Sequence, residues 1–286
     1  MIQVSQLQFG YGSHLLFDKL CLSANCSGVY GLFGRNGSGK SSLLKILSGL
    51  LFARAGVVEV LGVNPAARSA EFLEKIYLLP EEFHLPNINV AALKRTHAPF
   101  YPRFSRDDFD RYIALFQVPD KKLFGAMSLG QKKKAVMAFA LATHTPVLLM
   151  DEPTNGLDIA GRAQFKEIMR GLEHANRIVL ISTHQAHDLE SLMRHVLFID
   201  AGKLALSASI DTLRAALRIA VTPTCKDLED SIYSEALGEQ WVYVASNSGA
   251  PSADLNLELL YKALIVNRQA VLAAVNGAHR VAENAT

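Results

Sequence analysis

Cysteine is scarce in this chain of 286 residues: Cys21, Cys26 and Cys225 are the three, and no two form a CxxC pair. So sparse and odd a set excludes a disulfide scaffold and a zinc cage. Long apolar runs are lacking too. No uninterrupted stretch approaches the roughly 18 residues of a membrane-spanning helix, so any membrane association has to come through a partner. The first nine residues, Met1 to Phe9, alternate apolar and polar types as a strand does. They lack the basic start and unbroken apolar stretch of a signal peptide, so export of the chain is not expected. A concentrated charge of one sign is also missing: the net charge is +2 and the two signs are mixed along the chain. A dedicated nucleic-acid binder needs a basic face, so no nucleic-acid partner is expected. No internal repeat or low-complexity tract stands out.

What is present suits one large globular domain with a smaller appendage: half the residues are hydrophobic and a fifth are charged. Short apolar strands alternate with amphipathic helices, which predicts an α/β fold with a mainly parallel core sheet. Strands are expected at Val29 to Phe33, Ile76 to Leu79, Val147 to Met150 and Ile178 to Ile181. Phe109, Tyr112, Ile113 and Phe116 have the spacing of a core-facing helical stripe, as do Phe165, Ile168, Met169 and Leu172. Alternation over residues 2–9 and around Val57 to Leu61, punctuated by Gly56 and Gly62, predicts a separate antiparallel β region. After about residue 212 the motifs stop. We therefore divide the chain at 1–212 and 213–286, the latter a C-terminal extension with two strands and one late helix running from Leu257 through Leu264 towards Val275.

The segment Gly34-Arg35-Asn36-Gly37-Ser38-Gly39-Lys40-Ser41, continued by Ser42, matches GxxxxGK[ST] and follows a buried strand. A helix with Leu43, Leu47 and Leu50 on one side is expected after it. Glycines let backbone N–H groups close on phosphate oxygens, and the helix N-terminus adds partial positive charge. Lys40 is placed to bridge the β- and γ-phosphates of ATP, and the Ser41 hydroxyl suits the octahedral shell of Mg²⁺. Beyond the strand ending at Met150, the neighbours Asp151 and Glu152 point different ways. Asp151 is the candidate Mg²⁺ ligand and Glu152 the candidate general base. His184, beyond another strand, is the candidate contact to the γ-phosphate or to the water and Glu152.

Together these motifs resemble, over residues 1 to about 212, the nucleotide-binding subunits of ABC transporters. Met127-Ser128-Leu129-Gly130-Gln131 is similar to the family signature usually written LSGGQ and opens a helix with Ala135, Phe139 and Ala142 on one face. The resemblance implies a P-loop cassette with a helical subdomain at about 83–145. It also implies a head-to-tail dimer, in which Ser128, Gly130 and Gln131 of one copy close over ATP held by the other. Tyr11 resembles the aromatic residue that stacks on adenine, and Asn155-Gly156-Leu157-Asp158 the loop through which subunits communicate. Two positions depart from the pattern: Glu81, followed by Glu82, stands where glutamine is usual, and Leu129 replaces a glycine. An acid at 81 still offers oxygens to metal or water, at the cost of negative charge near phosphates.

The implied function is ATP hydrolysis driving a separate membrane permease, from the cytoplasmic inner face of the membrane. The stretch Phe83 to Tyr101, with its exposed-looking Phe83, Pro86, Phe100 and Tyr101, would receive the permease's cytoplasmic helix. The signature's form and the segment Asp254 to Leu260 are similar to ATPases of the ABC-2 type, often exporters. The competing class is a soluble ABC ATPase acting on a macromolecular complex. It is disfavoured by the lack of a long coiled-coil insertion before the signature and by the presence of one phosphate loop rather than two.

Overall fold

Strand Gly28–Phe33 is buried at every position, on both faces, and so it belongs in the middle of a sheet covered on each side. A computed structural model describes residues 1–171, 176–184, 189–224, 228–247, 249, 252 and 255–283, the last five by backbone alone. Leu172, Cys225 and Asp254, which figure in the sequence reading, lie outside the described residues.

The chain opens with strands Ile2–Tyr11 (β1) and His14–Ala24 (β2), passes through Gly28–Phe33 (β3) into helix Lys40–Leu47 (α1), and returns as strand Ala55–Val60 (β4). Strands β2, β1 and β4 form an antiparallel sheet, as the alternation predicts, with Ile2, Val4, Leu7 and Phe9 of β1 buried. A short helix Ala70–Leu73 (α2) leads to strand Ile76–Leu79 (β5). Helices Val90–His97 (α3), Arg106–Leu115 (α4) and Leu129–Ala142 (α5) follow, then strand Val147–Asp151 (β6) and helix Ile159–Gly171 (α6). Strands Ile178–Thr183 (β7), His195–Asp200 (β8) and Lys203–Ser209 (β9) complete the six-stranded main sheet. Its order is β5-β6-β7-β3-β8-β9, parallel except at β9. The carboxyl ends of β3, β5, β6 and β7 carry Gly34, Glu81, Glu152 and His184, the side where ligands bind in such sheets.

Helix α5 is wholly buried from Ala135 to Ala142, so it lies inside the molecule with only its first turn facing water. Phe109, Tyr112, Ile113 and Phe116 are buried as expected, together with Phe165, Ile168 and Met169. Three expectations need correcting. Helix α1 stops at Leu47, and Leu50 beyond it is exposed instead of sharing a face with Leu43. Phe83 and Tyr101 are half-buried against the core; Tyr101 lies 5.5 Å from Tyr77 and 6.0 Å from Phe139, so helix packing hides rings that local sequence leaves ambiguous. Of the aromatics expected to be exposed, Phe100 is.

The third correction concerns the extension. Helix Ile210–Ala216 (α7) spans residue 212 and runs straight into strand Leu217–Thr222 (β10). With Ser231–Leu237 (β11) and Gln240–Ser246 (β12), β10 makes three strands rather than two. The late helix is two helices, Leu257–Val266 (α8) and Arg268–Glu283 (α9), because Asn267 leaves helical geometry at φ −137°, ψ 65°. Its side-chain oxygen accepts the Ala270 N–H at 3.3 Å, so one residue ends α8 and caps α9. Leu257, Leu259, Leu260, Ala263 and Leu264 are buried in the same cluster as Phe33 and Phe198, so the extension shares the cassette's core.

Candidate functional site

The phosphate loop is shaped by close approaches. A side chain at Gly34 would sit 2.6 Å from the Ile199 carbonyl, one at Gly39 2.5 Å from the Phe17 ring, and Gly39 takes φ 100° as it starts α1. Inside the loop, the Ser38 N–H donates to the Arg35 carbonyl at 3.0 Å. The Lys40 ammonium, almost fully buried, donates to the Gly34 carbonyl at 2.8 Å and to the Arg35 carbonyl at 3.3 Å. Burial lowers the Lys40 pKa, while Glu152, Asp151 and Glu81 pull it back up. The ammonium thus rests on two neutral loop carbonyls, which an anionic ligand can displace because a charge-assisted bond is stronger.

Tyr11, Asn36, Gly37, Gly39, Lys40, Ser41, Ser42, Glu81 and Glu152 line one cleft of about 480 Å³, with His14 and Leu16. Tyr11 is half exposed and its hydroxyl lies 3.1 Å from that of Ser42. Asp151 is buried at the end of β6 and accepts a hydrogen bond from the Ser182 hydroxyl. The Ser182 carbonyl and hydroxyl oxygens both accept from the Glu152 N–H, each at 3.1 Å. Glu152 adopts φ 43°, a left-handed conformation whose cost is of order 1–3 kcal/mol for a non-glycine residue. One of its carboxylate oxygens, Oε1, is 2.9 Å from His184 Nδ1. The other, Oε2, is buried and has no hydrogen-bond partner among the described residues.

A side chain absent from the sequence-based candidates helps hold that strained turn. Lys133, in the second turn of α5, is buried and donates to the Glu152 carbonyl at 2.8 Å; the Asn155 N–H donates to the same oxygen at 3.2 Å. The Asn155 amide in turn donates to Glu81 Oε1 at 2.9 Å. Burial lowers the Lys133 pKa, and Glu81, Glu152 and Asp151 oppose it. Within the run of three lysines, helical spacing was the available signal: Lys133 stands three residues before Val136, on a helix that turns apolar at Ala135.

Ser128, Gly130, Gln131 and Asp158 do not line the cleft. Ser128 caps α5: its hydroxyl accepts the Gln131 N–H at 3.2 Å, and its own N–H donates to the Gln131 side chain at 3.1 Å. Asp158 accepts from the Gly161 N–H at 2.9 Å and pairs with Lys134 at 3.1 Å, so it caps α6 and ties it to α5. One chain thus presents the phosphate loop and the signature as separate surfaces.

Comparison with known proteins decides the family. The ABC transporter family profile matches residues 17–155. The bacitracin transport ATP-binding protein BcrA of Bacillus licheniformis is 30% identical over 218 residues, covering 75% of this chain and 71% of BcrA. The chain belongs to the ABC transporter family. The aliphatic sulfonates import ATP-binding protein SsuB of Corynebacterium glutamicum is 31% identical over 211 residues, 73% of this chain and 84% of SsuB. A solved dimeric post-hydrolysis state of an ATP-binding cassette, bound to ADP and Pi, has the same fold. Its TM-score is 0.65 at 18% identity, covering 73% of this chain and 99% of that one.

As an ABC ATP-binding subunit, the chain is an ATPase that works with ATP and Mg²⁺. Its donor set fits that pair. Among the described residues no group of three His, Cys, Asp or Glu side chains is placed to hold a metal alone. Mg²⁺ bound with a nucleotide needs only one or two carboxylates, because phosphates and water supply the other oxygens.

Proposed function

We propose that this chain drives a membrane permease by hydrolysing ATP in a head-to-tail pair of its own copies. Loop N–H groups of residues 34–41 and Lys40 hold the β- and γ-phosphates, with Ser42 and Tyr11 towards the base. Ser41 and Asp151, with Glu81 in reach, would hold Mg²⁺, which would supply positive charge against the phosphates. Glu152 accepts the proton of the attacking water as the new P–O bond forms and the bond to ADP breaks, and His184 fixes the carboxylate that does so. The second copy's Ser128, Gly130 and Gln131 complete the phosphate site, since a helix N-terminus attracts anions.

The observation that carries this reading is the Glu152 carboxylate, with one oxygen on His184 and the other buried beside Lys40's cleft with no hydrogen-bond partner among the described residues. Glu152→Gln should bind ATP, accumulate a dimer and lose hydrolysis by about a hundredfold or more, the scale of a lost general base. Steady-state phosphate release at the wild-type rate would overturn the assignment.

A second cavity, of about 540 Å³, supports the permease as partner. Leu50, Arg68, Leu73, His97, Phe100 and Tyr101 contribute to its lining, and Phe100 is 69% exposed. Among the described residues no helix is long and apolar enough to cross a membrane, so membrane attachment on the inner face rests on this contact. For direction we propose export, supported by the similarity to ABC-2 ATPases and to the Nod factor export ATP-binding protein I of Cupriavidus metallidurans, 28% identical over 210 residues; the likeness to an import subunit makes a vesicle transport assay the deciding measurement.

A further inference from the structure

Among the contacts that the ATPase reading leaves unused, one reaches from the far end of the chain into the phosphate loop. The backbone N–H of Arg35 donates to the hydroxyl of Tyr261, 226 residues away, at 2.9 Å. Tyr261 lies on α8, and its ring stacks on Phe198 with centroids 5.6 Å apart and planes 10° from parallel. Phe198 stacks in turn on Phe33 at 5.2 Å, and Phe33 is the residue that enters the loop. Helix α8 is anchored independently of the loop by its buried leucines and by the Lys262–Glu235 ion pair at 3.0 Å. The hydroxyl is therefore delivered to Arg35 from a fixed platform.

Residue Arg35 is otherwise held through its own carbonyl, which accepts from the Ser38 N–H and from the Lys40 ammonium, and the Gly34 carbonyl, in the same peptide as the Arg35 N–H, also accepts from Lys40, at 2.8 Å. When Lys40 turns to phosphate, its ammonium leaves both carbonyls. The bond from Arg35 N–H to Tyr261 does not depend on Lys40 and survives the change. Burial raises the Tyr261 pKa, so its hydroxyl stays neutral near neutral pH.

We propose that Tyr261 is a positioning residue for ATP binding, through which the C-terminal extension holds the start of the phosphate loop in its nucleotide-binding conformation. This rests on residues 34–41 being the ATP phosphate loop. Preordering the loop lowers the entropy lost when nucleotide binds, and the coupling is reciprocal, so bound nucleotide must steady α8.

The test is Tyr261→Phe, which keeps the ring stack and removes only the hydroxyl, in the full chain. In equilibrium titration with a non-hydrolysable ATP analogue and Mg²⁺, affinity should fall about two- to twelvefold, the range of one hydrogen bond. The kcat for phosphate release should stay within about twofold, since chemistry at Glu152 is untouched. The analogue should slow amide exchange over residues 257–266 in the wild type and not in Tyr261→Phe. Glu235→Gln removes a partly exposed ion pair of α8 while the buried leucines keep the helix seated, so it should bind the analogue within about twofold of the wild type. Wild-type affinity in Tyr261→Phe overturns the proposal, as does an equal loss in Glu235→Gln, because the effect would then be general loosening. Lys40→Ala separates the two readings: if it binds ATP normally, the phosphate-loop assignment itself fails, whatever Tyr261 does.

Discussion

Lys133 shows how a single buried charge serves a strained turn. Its ammonium is out of water, which costs free energy unless hydrogen bonds and opposite charges offset it. Here the offset comes from the Glu152 carbonyl and from the field of Glu81, Glu152 and Asp151. Glu81, the acid that departs from the usual glutamine, thus lies in the field of a cation and accepts from the Asn155 amide. Lys133→Met keeps the stem in the core and removes the charge. Because a hydrogen bond from a charged donor is worth about 1.5–3 kcal/mol, kcat should fall roughly ten- to 150-fold. ATP affinity should change far less, since Lys133 does not line the cleft. Steady-state turnover and a binding titration read the two effects separately, and unchanged kcat would mean that the Glu152 turn holds without the cation.

At the scale of elements, helix α5 has two duties at its ends. Its body is apolar on every side and builds the core, while its first turn is capped by the reciprocal Ser128–Gln131 bonds and exposes Ser128. Ser128→Ala should cost about 0.5–2 kcal/mol in urea unfolding, as lost caps do. The head-to-tail reading predicts a further loss that the single chain does not explain: turnover down at least about tenfold, with analogue binding to dilute protein within about twofold. Normal turnover would count against the composite site.

Helix α5 was also legible in advance, through the signature that opens it, as were β3, β6 and β7, because each of those strands is an apolar run leading to a motif whose residue types allow few chemistries. The extension was less legible. Asn267 splits the late helix through its own side chain, and local apolar spacing runs straight across it. The Tyr261 contact with Arg35 joins segments with no local pattern linking them, and it emerges only once α8 packs into the shared core.

For the whole molecule, the surface proposed for the permease is the groove of about 540 Å³ that collects residues from the end of α1, from α2 and β5, and from the segment after α3. A partner seated there touches both the part that carries the phosphate loop and the part that carries the signature helix. Relative movement of the two on ATP-driven closure is then passed to that partner as displacement, which transport requires. Its exposed anchor, Phe100, is the kind of aromatic side chain that dominates binding when a partner covers it. Phe100→Ala should leave basal ATPase activity within about twofold, because Phe100 is not among the residues of the nucleotide cleft. Recovery of a membrane subunit with the chain from detergent-solubilised membranes should drop about tenfold, the scale of a lost interface anchor. Undiminished recovery would remove the groove from the interface. Recovery of ribosomes or DNA in place of any membrane protein, with the wild-type chain, would remove the permease and leave a soluble ATPase built on the same catalytic residues.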